Sequence, residues 1–422
     1  MTAVDLLIRG ARLLTCAPLR GERARVGPAA GNVGAVEDGW IAARGDEIAA
    51  TGHGRSWERL QLGPGIVERQ AGGRVVMPGF VDPHTHLCYA GERWDEFVAR
   101  RSGTDYLATL EAGGGIHSTV RATTEADDAI LLALMRRRLS DAVSLGTTTI
   151  EVKSGYGLLA DEELRQLRLI ARLRGGSAID IAVTYLAAHA LPASRSGDRR
   201  GFLQEVEAVL ETVAGERLAE AVDAFVDAEL FSTEEVRPLV TAARKAGLAL
   251  TLHADQFGDT GAAAFAARHD ARSADHLAHV SADGLRALAR AERTVAVLLP
   301  GSAFFTHYDA PDARRFIAAR VPVALGTDHN PGTSPVVGMP AAIVLGVNLC
   351  GLTPHEAIVA ATINAAHALG RGTRTGALVE GRRADIVILE TDDERDLTYE
   401  LGAPLVREVY AAGKRVATME ER

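Results

Sequence analysis

The chain has 422 residues, 47% hydrophobic and 24% charged, which leaves room for a barrel of roughly 250 residues and an accessory domain. Its formal net charge of -9 speaks against nucleic acid or an anionic membrane surface as a partner, and no apolar run approaches the roughly 20 residues of a membrane span. The N-terminal nine residues carry no signal-peptide pattern, and three widely spaced cysteines (Cys16, Cys88, Cys350) fit neither a disulfide framework nor a CxxC site, so a reducing, cytoplasmic setting is expected.

Short β-rich runs open the chain, at residues 5–9, 39–43 and 47–50, with a Gly/Pro-rich loop at 27–34 between the first two. The C-terminal end behaves alike: Gly376-Ala377-Leu378, residues 384–389 and residues 406–413 read as strands with turn punctuation. A small β-sandwich domain built from both termini (1–76 and 374–422) is the expectation. The middle, 77–373, alternates strand and helix. Eight apolar runs (74–82, 146–152, 179–187, 222–226, 248–252, 273–279, 294–299 and 321–326) are separated for the most part by helical patterns, among them 127–145, 161–174, 202–221, 233–246, 261–267 and 282–291. Parallel strands need crossover connections, so this order reads as α/β, a distorted (β/α)8 TIM-type barrel. A doubly wound sheet competes, but the polar residues gather at the ends of the first and last strands alike, which suits the rim of a closed barrel.

The run Val75-Val76-Met77-Pro78-Gly79-Phe80 leads into Val81-Asp82-Pro83-His84-Thr85-His86. Histidines two apart at a strand end point the same way, and two converging imidazoles are half of a metal site. His253 at the end of the fifth strand and Asp328 at the end of the eighth complete a set of three imidazoles and one carboxylate, suited to one divalent ion, zinc or iron. Such an ion brings the pKa of water to about 7. Asp328 could then act as the base, and His276 could orient the water or hold the developing oxyanion.

These residues, with Pro78-Gly79-Phe80 ahead of them, make the chain similar to the amidohydrolase superfamily. Further segments resemble the imidazolonepropionase family within it: residues 86–93, Gly113-Gly114-Gly115-Ile116, residues 147–158 with Lys153-Ser154-Gly155-Tyr156-Gly157, residues 188–192, His253-Ala254-Asp255-Gln256, residues 273–277, and Thr327-Asp328-His329-Asn330-Pro331-Gly332-Thr333. The resemblance implies hydrolysis of the ring amide of 4-imidazolone-5-propanoate to N-formimidoyl-L-glutamate, in histidine degradation, by a homodimer. It implies metal ligation by His84, His86, His253 and Asp328, and substrate contacts from Arg93, Tyr156, His189, Gln256, Asn330, Gly332 and Thr333. The residue types agree: an anionic propanoate suits an arginine and a tyrosine hydroxyl, and a planar ring with N–H and C=O edges suits neutral donors and acceptors.

The pattern has departures. Binuclear members of the superfamily carry a lysine at the fourth strand end, where this chain has Val226-Asp227-Ala228, which supports a single metal. The imidazolonepropionase pattern usually has Cys-Glu there, so Asp227 leaves in question the contact a glutamate would make. Lys153 is expected to pair with a carboxylate rather than with metal. A purine or pyrimidine deaminase is the enzymatic alternative. Those enzymes place a glutamate three residues after the fifth-strand histidine, and Gln256 stands there. A barrel serving as a non-catalytic scaffold is the minor alternative, and it would be expected to have lost ligands. Gly113-Gly114-Gly115 and the loop 190–201 are candidates to close over the substrate.

Overall fold

The computed structural model describes residues 3–19, 21, 23–103, 114–228 and 230–419. Its strands fall into two eight-stranded sheets. The first takes β1 (Val4–Leu14), β2 (Ala35–Arg44), β3 (Glu47–His53), β4 (Leu62–Gln70) and β5 (Val75–Pro78) from one end of the chain, and β14 (Ile386–Leu389), β15 (Val406–Ala411) and β16 (Lys414–Thr418) from the other. Its order is β16-β15-β14-β5-β1-β2-β3, with β4 parallel to the first half of β1. Leu6, Ile8, Leu13, Ile41, Val76, Ile386, Ile388 and Tyr410 share one buried cluster, packing the two halves of this sheet together.

The second sheet is the barrel: β6 (Phe80–Asp82), β7 (Thr147–Lys153), β8 (Asp180–Ala188), β9 (Ala221–Val226), β10 (Ala249–Ala254), β11 (Ser273–His276), β12 (Val295–Leu298) and β13 (Val323–Leu325), all parallel and in chain order. β6 and β13 meet just past their ends. The Asp328 amide donates to His84 O at 3.0 Å, and the His86 amide to His329 O at 2.9 Å. The Asp82 carboxylate adds two bonds, from Thr327 N at 3.1 Å and Thr327 Oγ1 at 2.6 Å. Closure and site therefore use the same few residues, which fixes His84, His86 and Asp328 against one another.

The outer helices follow their apolar periodicity. Asp128–Ser144, for example, buries Leu131, Leu132, Met135, Leu139 and Ala142, a stripe at helical spacing. Helix Thr233–Lys245 starts on a capping box formed by Ser232 and Glu235.

Four expectations need correction. The run 74–82 is two strands: β5 belongs to the terminal sheet, pairing with β1 and β14, and β6 to the barrel. Gly79 stands at the break, where a Cβ would lie 2.2 Å from Thr148 Oγ1. Gly376–Leu378 is not a strand: Gly376 turns the chain with a φ of 77°, and the triplet joins no ladder. The eleventh strand stops at His276, because His276 and Leu277 adopt left-handed backbone, with φ of 75° and 61°. The helix expected at 202–221 spans Arg199–Gly215, and Ala221 begins β9. β4 was not expected at all.

Candidate metal centre and substrate cavity

At the C-terminal rim, His84, His86 and Asp328 form one group of convergent ligand atoms, and His84, His253 and His276 a second, all five residues buried. His84 Nε2 lies 3.2 Å from His86 Nε2, and Asp328 Oδ1 lies 3.6 Å and 3.4 Å from these two nitrogens. The ring of His253 sits 4.5 Å from that of His84 and 5.5 Å from that of His86, centroid to centroid.

The tautomers explain what such crowding is for. His84 Nδ1 donates to Asp275 Oδ2 at 2.6 Å, and His253 Nδ1 to Asp223 Oδ2 at 2.9 Å. Each ring thus keeps a lone pair on Nε2, turned toward the shared space. Carboxylate–histidine pairs of this kind orient metal-binding imidazoles. Burial, followed by the Lys153 charge, holds His84 well below the usual histidine range, and burial does the same to His86, His189 and His276. Neutral imidazoles with inward lone pairs beside a carboxylate suit a cation. Two buried nitrogens, His86 Nδ1 and His276 Nε2, have no hydrogen-bond partner among the described residues. The donor set fits a divalent metal.

Lys153 is fully buried behind this group. Its Nζ lies 2.8 Å from Glu151 Oε2, 2.8 Å from Asp223 Oδ2 and 3.8 Å from Asp275 Oδ2. It pairs with carboxylates as expected. The extent of the network is not visible in the sequence, because its members run from Glu151 to Asp275. Burial alone would raise Asp223, but His253 and Lys153 bring it well below the usual carboxylate range. Burial also pushes Asp328 up to about 7.

In front of the ligand cluster lies a cavity of about 390 Å³, lined by His86, Arg93, Tyr156, His189, Gln256, His276, Asp328, Asn330 and Thr333 among others. Of the expected site residues, all but His84 and Gly332 line this cavity, and His84 lies fully buried beneath it beside His86. Gly332 lies behind Arg93 instead, and a Cβ on it would fall 2.0 Å from Arg93 Nη1. His189 stacks on His86 at 5.5 Å and 19°, and its Nδ1 donates to Gly155 O at 2.8 Å, which leaves Nε2 as an acceptor. Gln256 Nε2 donates to Ser302 Oγ at 3.2 Å, while its Oε1 is buried without a partner among the described residues. Asn330 has its amide committed to the turn: it donates to Asp328 O and accepts from Gly332 N and Thr333 N at 2.7–2.8 Å.

Asp227 proves to have a definite task. One oxygen accepts from Gln256 N at 2.7 Å and Phe257 N at 2.9 Å, the other from Ala228 N at 2.8 Å. It anchors the segment that carries Gln256. Ala190 and Leu191 of the 190–201 loop line the cavity. Of the glycine run, Gly113 lies outside the described residues, and Gly115 precedes helix Ile116–Glu125 with φ 65°. Phe225, Phe257, Tyr308, His117 and His279 also line the cavity and were not anticipated. Nothing in their local pattern marks them.

An eight-stranded parallel barrel with this rim defines a class, and the sequence confirms it: the chain belongs to the amidohydrolase family, whose profile matches residues 75–416. The curated relatives point to a particular group within the class, the imidazolonepropionases. The chain is 42% identical over 424 residues to the imidazolonepropionase of Symbiobacterium thermophilum, covering 99% of this chain and 98% of that one. It is 40% identical over 434 residues to that of Chloroflexus aggregans, covering 100% of both. Among solved structures, an adenosine deaminase from Xanthomonas campestris with bound zinc matches with a TM-score of 0.74 at 18% identity, over 99% of this chain and 94% of that one. The N-isopropylammelide isopropylaminohydrolase of Burkholderia multivorans matches with a TM-score of 0.66 at 21% identity, over 98% of both. At these identities the two structures speak for the fold alone. Among the described residues, no helix is long and apolar enough to cross a membrane.

Proposed function

We propose that the chain hydrolyses the ring amide of 4-imidazolone-5-propanoate to N-formimidoyl-L-glutamate, using one divalent metal, zinc or iron, held by His84, His86, His253 and Asp328. One observation carries the reading: a single cavity joins a floor of convergent imidazole lone pairs and a buried carboxylate to a wall bearing Arg93. That combination matches a small ring amide with an anionic arm.

The metal supplies Lewis acidity and brings the pKa of water toward neutrality. The chain's own residues do the rest. Asp328 turns Oδ1 toward His84 Nε2 and His86 Nε2, at 3.6 Å and 3.4 Å, and its carboxylate is the base at this floor. It takes a proton from the attacking water as the carbon–oxygen bond forms, and delivers it to the ring nitrogen as the carbon–nitrogen bond breaks. His276, kept neutral by burial and with its Nε2 otherwise unpartnered, donates to the carbonyl oxygen as negative charge develops there. Arg93 and the Tyr156 hydroxyl receive the propanoate. Gln256 Oε1 and His189 Nε2 are acceptors for the ring N–H groups. Asn330, Gly332 and Thr333 shape the wall beside them, Asn330 by bracing the turn.

Gln256 favours this reading over deamination, because a carboxamide cannot carry a proton to a leaving amine at neutral pH. The test is a spectroscopic assay with freshly made 4-imidazolone-5-propanoate beside guanine and cytosine. Turnover of the imidazolone alone is expected, with Asp328→Asn inactive even where metal is retained. Turnover of guanine or cytosine without the imidazolone would overturn the reading.

A further inference from the structure

Arg93 is not a mobile surface arginine. It is buried, and its guanidinium is held on one edge by Glu96, whose Oε2 accepts from Nε at 2.8 Å and from Nη2 at 2.6 Å. On another side it lies against Gly332, whose missing side chain makes the space for Nη1. Gly332 is itself tied down, its carbonyl accepting from Arg100 Nη2 at 2.9 Å. The second oxygen of Glu96 faces the other way: Oε1 accepts from Gly115 N at 2.9 Å and from Ser118 Oγ at 3.0 Å. Directly after Gly115 come Ile116 and His117, both lining the cavity. One carboxylate thus joins the arginine to the segment that carries Ile116 and His117, and its two oxygens divide the work.

We propose that Glu96 is a positioning residue for anion recognition: it presets the edge of the Arg93 fork that meets the ligand carboxylate and locks that fork to the Gly115–Ser118 segment. The inference rests on the reading that Arg93 receives the propanoate. Its physical basis is preorganisation. A long, flexible side chain that is already immobilised costs less to order on binding. The Glu96 carboxylate also fixes the plane of the guanidinium, so a ligand carboxylate is recognised by the direction in which the fork is held. Glu96 lies below the usual carboxylate range despite burial, because Arg93, Ser118 and Gly115 all donate to it.

The experiment uses the metal-loaded enzyme and two unreactive probes, 3-(imidazol-4-yl)propanoate and its primary amide, whose dissociation constants are measured by calorimetry. The wild type is expected to prefer the acid. Glu96→Ala should reduce the acid-to-amide preference roughly three- to tenfold, with the loss in turnover falling on KM more than on kcat. Glu96→Gln offers a single acceptor to two sets of donors and should narrow the preference as well, which keeps the test open if the alanine variant fails to fold. Arg93→Ala separates the two layers of argument. If it abolishes the preference while both Glu96 variants keep the wild-type ratio, the positioning role is overturned and the Arg93 reading stands. If Arg93→Ala leaves the ratio intact, the Arg93 reading fails and this inference with it.

Discussion

Replacing Lys153 by methionine tests the architecture behind the ligands most directly. In the wild type one ammonium faces three carboxylates at no measurable exposure, with Asp223 Oδ2 and Glu151 Oε2 both at 2.8 Å. Asp223 Oδ2 also holds His253 Nδ1, and Asp275 Oδ2, 3.8 Å from the ammonium, also holds His84 Nδ1. The lysine therefore steadies the same oxygens that aim two imidazoles. Removing one partner from a buried charge cluster costs about 3–5 kcal/mol, and losing this kind of support typically weakens a metal site about 10- to 100-fold. Coulomb's law alone predicts the opposite sign for the metal, since a nearby positive charge is removed. The geometric effect should win, because the carboxylates lie between the lysine and the ligand rings. Urea unfolding of the metal-free protein and zinc competition with a chromophoric chelator read the two quantities separately. A folded Lys153→Met protein that binds zinc as tightly as the wild type, or more tightly, would refute the reasoning.

Three further outcomes follow from the geometry. Gly332→Ala would place a methyl group 2.0 Å from Arg93 Nη1, against an arginine that Glu96 prevents from retreating. Overpacking of this kind costs about 1–3 kcal/mol, so KM should rise roughly tenfold with metal content preserved, and an unchanged KM would show that Arg93 can yield. Asp227→Ala leaves the Gln256 and Phe257 amides without their acceptor, at about 1–3 kcal/mol for each buried donor left unpaired. A lower Tm and reduced kcat/KM are expected, and wild-type values of both would contradict the anchoring role. Burial lowers His329 from 6.5 to about 4, so between these values the unfolded chain binds a proton that the folded chain does not. Its contribution is complete above pH 6.5 and is lost as pH falls toward 4, by up to about 3 kcal/mol. Urea unfolding at pH 7 and pH 4.5 should show a smaller drop in His329→Gln, and an equal drop would exclude His329 as a source.

The barrel and the convergence of His84, His86, His253 and Asp328 at its rim are legible because their signals are local. A His-x-His after β6, a histidine near the end of β10 and an aspartate just past β13 need only strand order to bring them together. β4 is not legible in the sequence because Gly63, Pro64 and Gly65 give it the composition of a turn, and only its pairing with β1 makes it a strand. Gly376–Leu378 misled in the opposite sense, since a short apolar triplet has no ladder partner there. The roles of Asp223 and Asp275 depend on contacts 30 and 191 positions away, which no periodicity encodes. Asn330 lines the cavity, but its amide faces its own turn, because the backbone N–H groups of Gly332 and Thr333 compete for it at close range.

The break at Gly79 ties the chemistry to the far end of the chain. β5 is sandwiched between β1 and β14, and the Gly79 amide bonds to Asp385 O at 3.0 Å, five residues before His84. Deleting the C-terminal strands would strip one edge of β5 and expose its buried run Val75-Val76-Met77-Pro78 to pairing with other chains. The same cut would free the segment that sets where His84 and His86 stand. A truncation some 300 positions away in the sequence would thus act as a lesion of the metal-binding rim, and loss of metal, rather than simple loss of a peripheral sheet, would be its first symptom.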